Sequence, residues 1–488
     1  MFLISAMKTN LKAISTMVFA IVIVIIIVVA GIGVYYATTV TKTTTTTAVS
    51  TSTAVSVSTS TAVTTVTAAP VTVNFYESLA PSESAYFQTT LIPEFEAANP
   101  GITVQFINLP SGQPPQELAT LVASNDVGTS LFGIDNLAVG SPLYAGELMN
   151  LTSIVSTMMP STLISSAASM VSYETQVFHG IYFIPFRSNI PLVFYDKQYL
   201  ASKGITSPPA TDAQLLADAQ ILGSGSVMFQ GSANTGSEGG ADTGTEMYQF
   251  MVQDGGNPFV FNDTGDIQAM QFTDNLSAYF NPGYTAGYWG TYTGLATTPP
   301  EYSILDYQWP YVYGLLENAT FHMTDTTLGV YAGPNGTVNG NHLLGGDVLV
   351  IPVGATNLPA IEKLANFLLS PTAQQQTLVN LSWVAVNSQA YVNLPSSAST
   401  VGAALEAAIS TGVFLRNPTP WITEWNVYLS NAFTKIVVDN NGNPSSTYSS
   451  IKSTMSYYNQ QFYNYLKVTY GPTVANEYEA GGFAPISV

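Results

Sequence analysis

Cysteine is absent from all 488 residues, which excludes disulfides, thiol nucleophiles, thiolate zinc sites and a lipid anchor on a processed cysteine. Charge is scarce as well. Charged residues make up 8% of the chain, against an ordinary quarter or so, so solvation must come from Ser, Thr, Asn, Gln and Tyr. Thirty acidic residues stand against 11 basic ones, and nucleic acid, whose phosphates need clustered Lys and Arg, is excluded as a partner. A surface that does not depend on ionised carboxylates suits an acidic exterior. The expectation is a fold that persists from neutral pH to about pH 3 instead of unfolding near the carboxylate pKa of roughly 4. The usual marks of catalysis are missing too: there is no G-x-S-x-G elbow, no H-E-x-x-H pair and no Walker loop. His179, His322 and His342 lie far apart with no ligand-spaced partners, so neither a metal nor a cofactor is expected. The string from Asp439 to Asn443 has Pro444 where a calcium loop needs Gly, and it reads as a turn.

One long hydrophobic run is present, at the start. Residues 13–40 carry no charge, and the apolar centre is long enough to cross a hydrocarbon core of about 30 Å, which takes roughly 20 helical residues. Lys8 and Lys12 precede it and only Lys42 follows closely, a bias that leaves the N-terminus cytoplasmic and everything beyond the run outside. A cleaved secretory signal is the alternative, but the run exceeds a usual signal core and no A-x-A site follows. The string Lys12-Ala13-Ile14-Ser15-Thr16 resembles the cleavage site of archaeal pilin-type signal peptides, in which a basic leader is clipped and the helix is kept. Residues 38–70 are almost entirely Thr, Ser, Val and Ala with one charge, too little apolar surface to fold, and read as a stalk. The layout is a leader at 1–12, a transmembrane or pilin-like helix at 13–37 and the stalk at 38–70. Six sequons follow, at Asn150, Asn262, Asn275, Asn318, Asn335 and Asn380, as glycosylation candidates of an exported domain.

From residue 71 onward about 420 residues remain, too many for one ordinary core, so two lobes are expected. Residues 71–75 alternate as a strand, 84–97 carry a helical period closed by Asn99-Pro100-Gly101, and 102–107 read as the next strand. That order recurs at 119–134, and at the strand 348–352 followed by the helix 361–369, which favours an α/β fold with parallel strands. The strings Asp254-Gly255-Gly256-Asn257-Pro258 and Asn262-Asp263-Thr264-Gly265 read as turns. The last hundred residues read as mainly helical.

The text LIPEFEAANPGITVQF from Leu91 to Phe106 resembles the opening of the family 1 extracellular solute-binding proteins of ABC transporters, the maltose-binding-like group with its archaeal sugar-binding members. The segment GIYFIPFRSNIPLVFYDKQYLASKGITSPP from Gly180 to Pro209 is similar to that family's first crossover. ILDYQWPYVYGLL from Ile304, LGVYAGPNG from Leu328, LLGGDVLVIP from Leu343 and LANFLLSPTAQQQ from Leu364 continue the likeness in the family's order and spacing. The resemblance implies a periplasmic-binding-protein-like α/β fold, two lobes with a hinge and a ligand cleft. Residues 71–185 and 331–382 would form lobe one, and residues 186–330 and 383–488 lobe two. It also implies capture of a sugar or oligosaccharide for the permease of an ABC importer, with no chemistry performed. A peptide ligand, a glycoside hydrolase and a structural surface glycoprotein are the alternatives. The hydrolase would need two carboxylates across one bond, and the glycoprotein would show short repeats, of which there are none.

Sugar recognition needs flat apolar surfaces against the C–H faces of a pyranose ring and polar groups against its hydroxyls. The chain has 28 Tyr and 5 Trp to supply them. On the resemblance, Trp309 in Tyr307-Gln308-Trp309 falls where the family presents a stacking aromatic, Trp425 or its neighbour Trp421 where it presents a second one, and Asp135 where it carries an acid for sugar hydroxyls. Trp383 falls at the third crossover, where packing is the alternative role. Glu77 follows the first strand, at the carboxyl end where open α/β sheets bind ligands, and a helix cap or turn acid is the alternative for it and for Asp135. Arg187 follows the crossover proline, for the cleft or for an ion pair that fixes the hinge. Gly345 and Gly346 fit a strand start where backbone approaches a ligand closely, and Phe186 and Tyr76 complete the set.

Overall fold

The structure, a computed structural model, describes residues 70–487 apart from 111, 230–240, 287–288, 318–320, 322, 395–398, 441 and 445. The uncharged run and the stalk lie outside the described residues. Among the described residues no helix is long and apolar enough to cross a membrane.

The chain opens with β1 (Val71–Glu77), a helical stretch and β2 (Ile102–Asn108), and the two strands pair in parallel from Val71 with Ile102 to Glu77 with Asn108. The stretch between them begins at Pro81, earlier than the apolar period indicates. Glu83 supplies the start signal, its carboxylate accepting the Ala80 N–H at 2.9 Å. The stretch is an α-helix at Pro81–Tyr86, one π-helical turn at Phe87–Leu91 and a second α-helix at Ile92–Ala98. β3 (Ser130–Asp135) joins β1 in parallel on its other edge.

β4 (Phe183–Asn189) leads through Ile190 and Pro191 alone into β5 (Leu192–Asp196). Those two residues carry the chain from one sheet to another. β5 lies in a four-stranded sheet of order β6-β7-β5-β8, with β6 at Val227–Met228, β7 at Ile304–Gln308 and β8 at Leu328–Tyr331. β9 (His342–Val350) returns to the first sheet, between β3 and β4 and antiparallel to both. All nine of its residues are buried, which explains a run with no polar alternation. β10 (Val384–Ala385), β11 (Val413–Leu415) and β12 (Ile486–Ser487) complete that sheet, whose main path is β10-β4-β9-β3-β1-β2.

The helix Leu358–Leu368 buries Ala360, Ile361, Leu364, Ala365 and Leu368, one stripe of a 3.6-residue period. It belongs to a core with Phe75, Phe87, Phe186 and Trp383. The second and larger core holds the four-stranded sheet and the C-terminal helices Ile422–Phe433 and Tyr448–Thr469. One turn reading needs correction: Thr264 and Gly265 open the helix Thr264–Leu276. Asp263 ends the turn by accepting the Asp266 N–H at 3.0 Å, while Asp266 reaches back to the Asp263 N–H.

Candidate functional site

The carboxyl ends of β1, β2 and β3 converge on a cavity of about 560 Å³, the position at which open α/β sheets bind ligands. Glu77 closes β1, Asn108 closes β2 and Asp135 closes β3. Arg187 and Asn189 come from β4, Gly346 and Asp347 from β9, and the opposite wall brings Trp309 and Tyr311 from just after β7.

A bulge aims the guanidinium. Pro185 pairs with Val348 but Arg187 pairs with Asp347, so Phe186 is one residue too many in β4 and its extra step sets Arg187 beside the Asp347 carboxylate, to which its Nε donates. Nη1 lies 3.4 Å from Glu83 Oε1, and the same Glu83 oxygen accepts the Trp383 indole N–H at 2.6 Å. The guanidinium carbon sits 4.2 Å above the Trp383 ring. Burial alone would lower the Arg187 pKa, but Asp347, Glu83 and Glu77 raise it, so it stays charged. Burial pushes the Asp347 carboxyl up in spite of Arg187. Glu77 is pushed well up by burial and by Asp347, against the pull of Arg187. One Glu77 oxygen accepts the Ser78 N–H at 3.0 Å, and the other has no hydrogen-bond partner among the described residues. The cavity therefore offers fixed acceptors, one fixed cation and a buried carboxyl whose pKa is raised.

Two glycines shape the floor. Gly346 has φ of +120°, and a Cβ there would lie 2.1 Å from the Arg187 carbonyl oxygen. Gly346→Ala is therefore expected to destabilise the fold by about 3 kcal/mol, read as a lower urea midpoint; an unchanged midpoint would show that the bulge yields freely. At Gly345 a Cβ would stand 2.9 Å from the Trp309 ring, so that ring, carried by one sheet, rests on backbone of the other.

Of the residues singled out by sequence, Glu77, Asp135, Arg187, Trp309 and Gly346 line this one cavity, and Gly345 supports it from behind. Asp135 is exposed, accepts the Leu137 N–H at 2.7 Å as a turn acid, and lies 3.7 Å from Arg416. The other aromatic candidates are core residues. Phe186 packs edge-on against Phe75, Phe87 and Trp383. Tyr76 stacks on Phe132, and Tyr307, with φ of +33°, turns its hydroxyl to the Pro334 carbonyl at 3.0 Å. Trp383 lies beneath Arg187 instead of facing the cavity. Trp425 is wholly buried with its N–H on the Pro258 carbonyl at 3.1 Å, and Trp421 is wholly buried among Phe259, Phe462 and Tyr478. Two aromatic neighbours hold Trp383 and Trp425 and four hold Trp421, a packing role that residue type does not distinguish from stacking.

Glu83, Asp347, Tyr311 and Asn189 are lining residues that sequence reasoning did not reach. Asp347 had a signal, as the one acid in an otherwise apolar strand. Arg416, missed as well, supports the site from behind through Asn136 Oδ1 at 3.3 Å; burial lowers its pKa. Among the described residues no group of three His, Asp or Glu could hold a metal ion. Asn150, Asn275, Asn335 and Asn380 are exposed and Asn262 is half-buried, whereas Asn318 lies outside the described residues.

The sequence profile of the bacterial extracellular solute-binding proteins matches residues 80–375, more than half of the chain. No curated protein matches it in sequence. Among solved structures, the GacH receptor of Streptomyces glaucescens, described both unliganded and with acarbose, superposes with a TM-score of 0.66 at 17% identity, covering 82% of this chain and 99% of that one. Maltose-bound MalE3 of T. maritima gives 0.67 at 17%, covering 80% and 100%. The sugar-binding protein MalE of Xanthomonas citri gives 0.63 at 16%, covering 82% and 99%. At these identities the likeness is one of fold.

Proposed function

The chain belongs to the family of bacterial extracellular solute-binding proteins, whose members bind solutes and do not transform them, and from that premise we propose that it captures a sugar or oligosaccharide for an ABC importer. The observation that carries this reading is the cavity itself, where the Trp309 and Tyr311 rings face carboxylates, amides and a guanidinium already locked in place. A pyranose ring suits such a wall: its C–H face lies on the aromatic rings and its hydroxyls meet Asp135, Asn108 and Asn189. The solved proteins of this fold whose descriptions name acarbose and maltose support the same ligand class.

In this reading two lobes, one built on each sheet, close on the ligand by a hinge, with the first crossover at Ile190 and Pro191, after β4, instead of at Pro185, and the closed form is the one the permease engages. Residues 13–37 tether the protein to the membrane with its globular part outside the cell.

A thermal-shift screen against saccharides and peptides tests the proposal, because a ligand that binds only the folded state raises the unfolding midpoint. Stabilisation by a saccharide without its cleavage is the expected result. Stabilisation by peptides alone, or release of reducing ends, would overturn it. Trp309→Ala should weaken the saccharide by about 1 kcal/mol or more, measured calorimetrically, and an unchanged affinity would remove Trp309 from the site.

A further inference from the structure

A second concavity, of about 500 Å³, shares no lining residue with the cleft. Tyr144 ends the short helix Gly140–Tyr144, Trp421 precedes the helix Ile422–Phe433, Tyr470 follows Tyr448–Thr469, and Phe483 lies beyond Pro472–Glu479. Those four rings, with Ser141 and Glu477, form most of its wall. We propose that this groove is a second saccharide site, independent of the cleft, which takes a single neutral pyranose unit.

Three observations point that way. The Trp421 ring is fixed edge-on by Phe259, Phe462 and Phe483 at 5.1 to 5.4 Å, yet its indole N–H has no hydrogen-bond partner among the described residues. Buried indole N–H groups ordinarily have one, and a ligand oxygen in the groove is the acceptor that is missing. Tyr144 is 53% exposed, braced on one side by Phe178 at 6.1 Å, so a flat aromatic face is held ready at the rim. Glu477 is exposed on the same rim, close enough that its charge, after burial, helps raise the Tyr144 phenol. The Tyr470 ring is held as well, its hydroxyl donating to the Pro420 carbonyl at 3.1 Å.

Flat apolar faces with a donor, a carboxylate acceptor and the Ser141 hydroxyl are the requirements of a sugar ring. An acyl chain would leave the indole N–H and Glu477 without partners. An anion would meet Glu477 with no Lys or Arg in the wall.

The test is hydrogen-exchange mass spectrometry on the full chain with millimolar maltotriose or chitotriose, on wild type and on Tyr144→Ala, an exposed position whose truncation spares the core. Protection of residues 141–145 and 470–483 is expected in wild type, lost in Tyr144→Ala with about tenfold weaker groove binding, while protection around Glu77 and Arg187 is retained. Glu477→Gln should weaken the groove alone in the same assay. Protection confined to the cleft would overturn the proposal, as would groove protection that survives in Tyr144→Ala, since that would report lobe closure instead of occupancy.

Discussion

Melting of the protein is expected to move upward as the pH falls from 8 to about 4.5, by roughly 10 °C. Burial raises Glu174 to about 9 and Asp306 to about 7, and it pushes Glu77, Asp212 and Asp266 well above their ordinary range. A carboxyl whose pKa is higher folded than unfolded binds protons preferentially in the folded state. Its contribution is therefore complete below the unfolded pKa and is lost as pH rises through the folded one, by about 1.4 kcal/mol per unit of pH for each group. Glu174 and Asp306 together make the fold less stable at pH 8 than at pH 4.5 by on the order of 5 kcal/mol, a large part of a typical domain's stability.

His342 works in the opposite sense. Burial lowers it to about 4, so its neutral form favours the fold above about pH 6.5 and that contribution is lost as pH falls through 4. One histidine against several carboxyls leaves the net slope upward toward acid. Calorimetric melts at intervals of pH give the answer, and Glu174→Gln, which removes a carboxyl that burial raises to about 9, should flatten the slope. A midpoint that stays level or falls between pH 8 and 4.5 would contradict the account. Acid tolerance, expected from a surface poor in charge, thus acquires a second cause in the interior.

Arg187→Met is expected to cost about 3–5 kcal/mol at pH 7, because it leaves Asp347 and Glu83 buried without their cation. The same change should cost much less at pH 4.5, where Asp347, raised by burial to about 6, can take a proton instead. Urea unfolding at the two pH values measures both. Equal losses would mean that the guanidinium acts by packing on Trp383 and not by charge. Saccharide affinity should fall in parallel at both pH values, since the cavity loses its fixed donor.

Much of the site could be read along the chain, and the reasons are local. Glu77 ends a strand that announces itself by alternation, Trp309 follows another, and Gly345 and Gly346 form a pair where side chains do not fit, although they lie inside β9 and not at its start. Glu83 and Tyr311 gave no such sign, because what makes them lining residues is a partner far away in sequence: Arg187 is 104 positions from Glu83. The tryptophans divide for a similar reason. Trp383 and Trp425 carry the same chemistry as Trp309, and only the shells that close round them in three dimensions make them core. The fold was legible because its first βαβ unit is continuous in sequence. The bulge that turns Arg187 toward Asp347 was not, since one extra residue in a strand changes no periodicity strongly enough to notice.

The passage from β4 to β5 is two residues long, Ile190 and Pro191, and it begins three positions after Arg187. Proline fixes its own φ near −65° and keeps the residue before it out of the helical region, so few torsions remain free in this strap. Any turning of one sheet against the other at this point is confined to a narrow arc, like a door on a stiff pivot. In the proposed reading a ligand held by Arg187 would pull at the pivot itself, and the travel of the door would be set by backbone stereochemistry before any solute arrives.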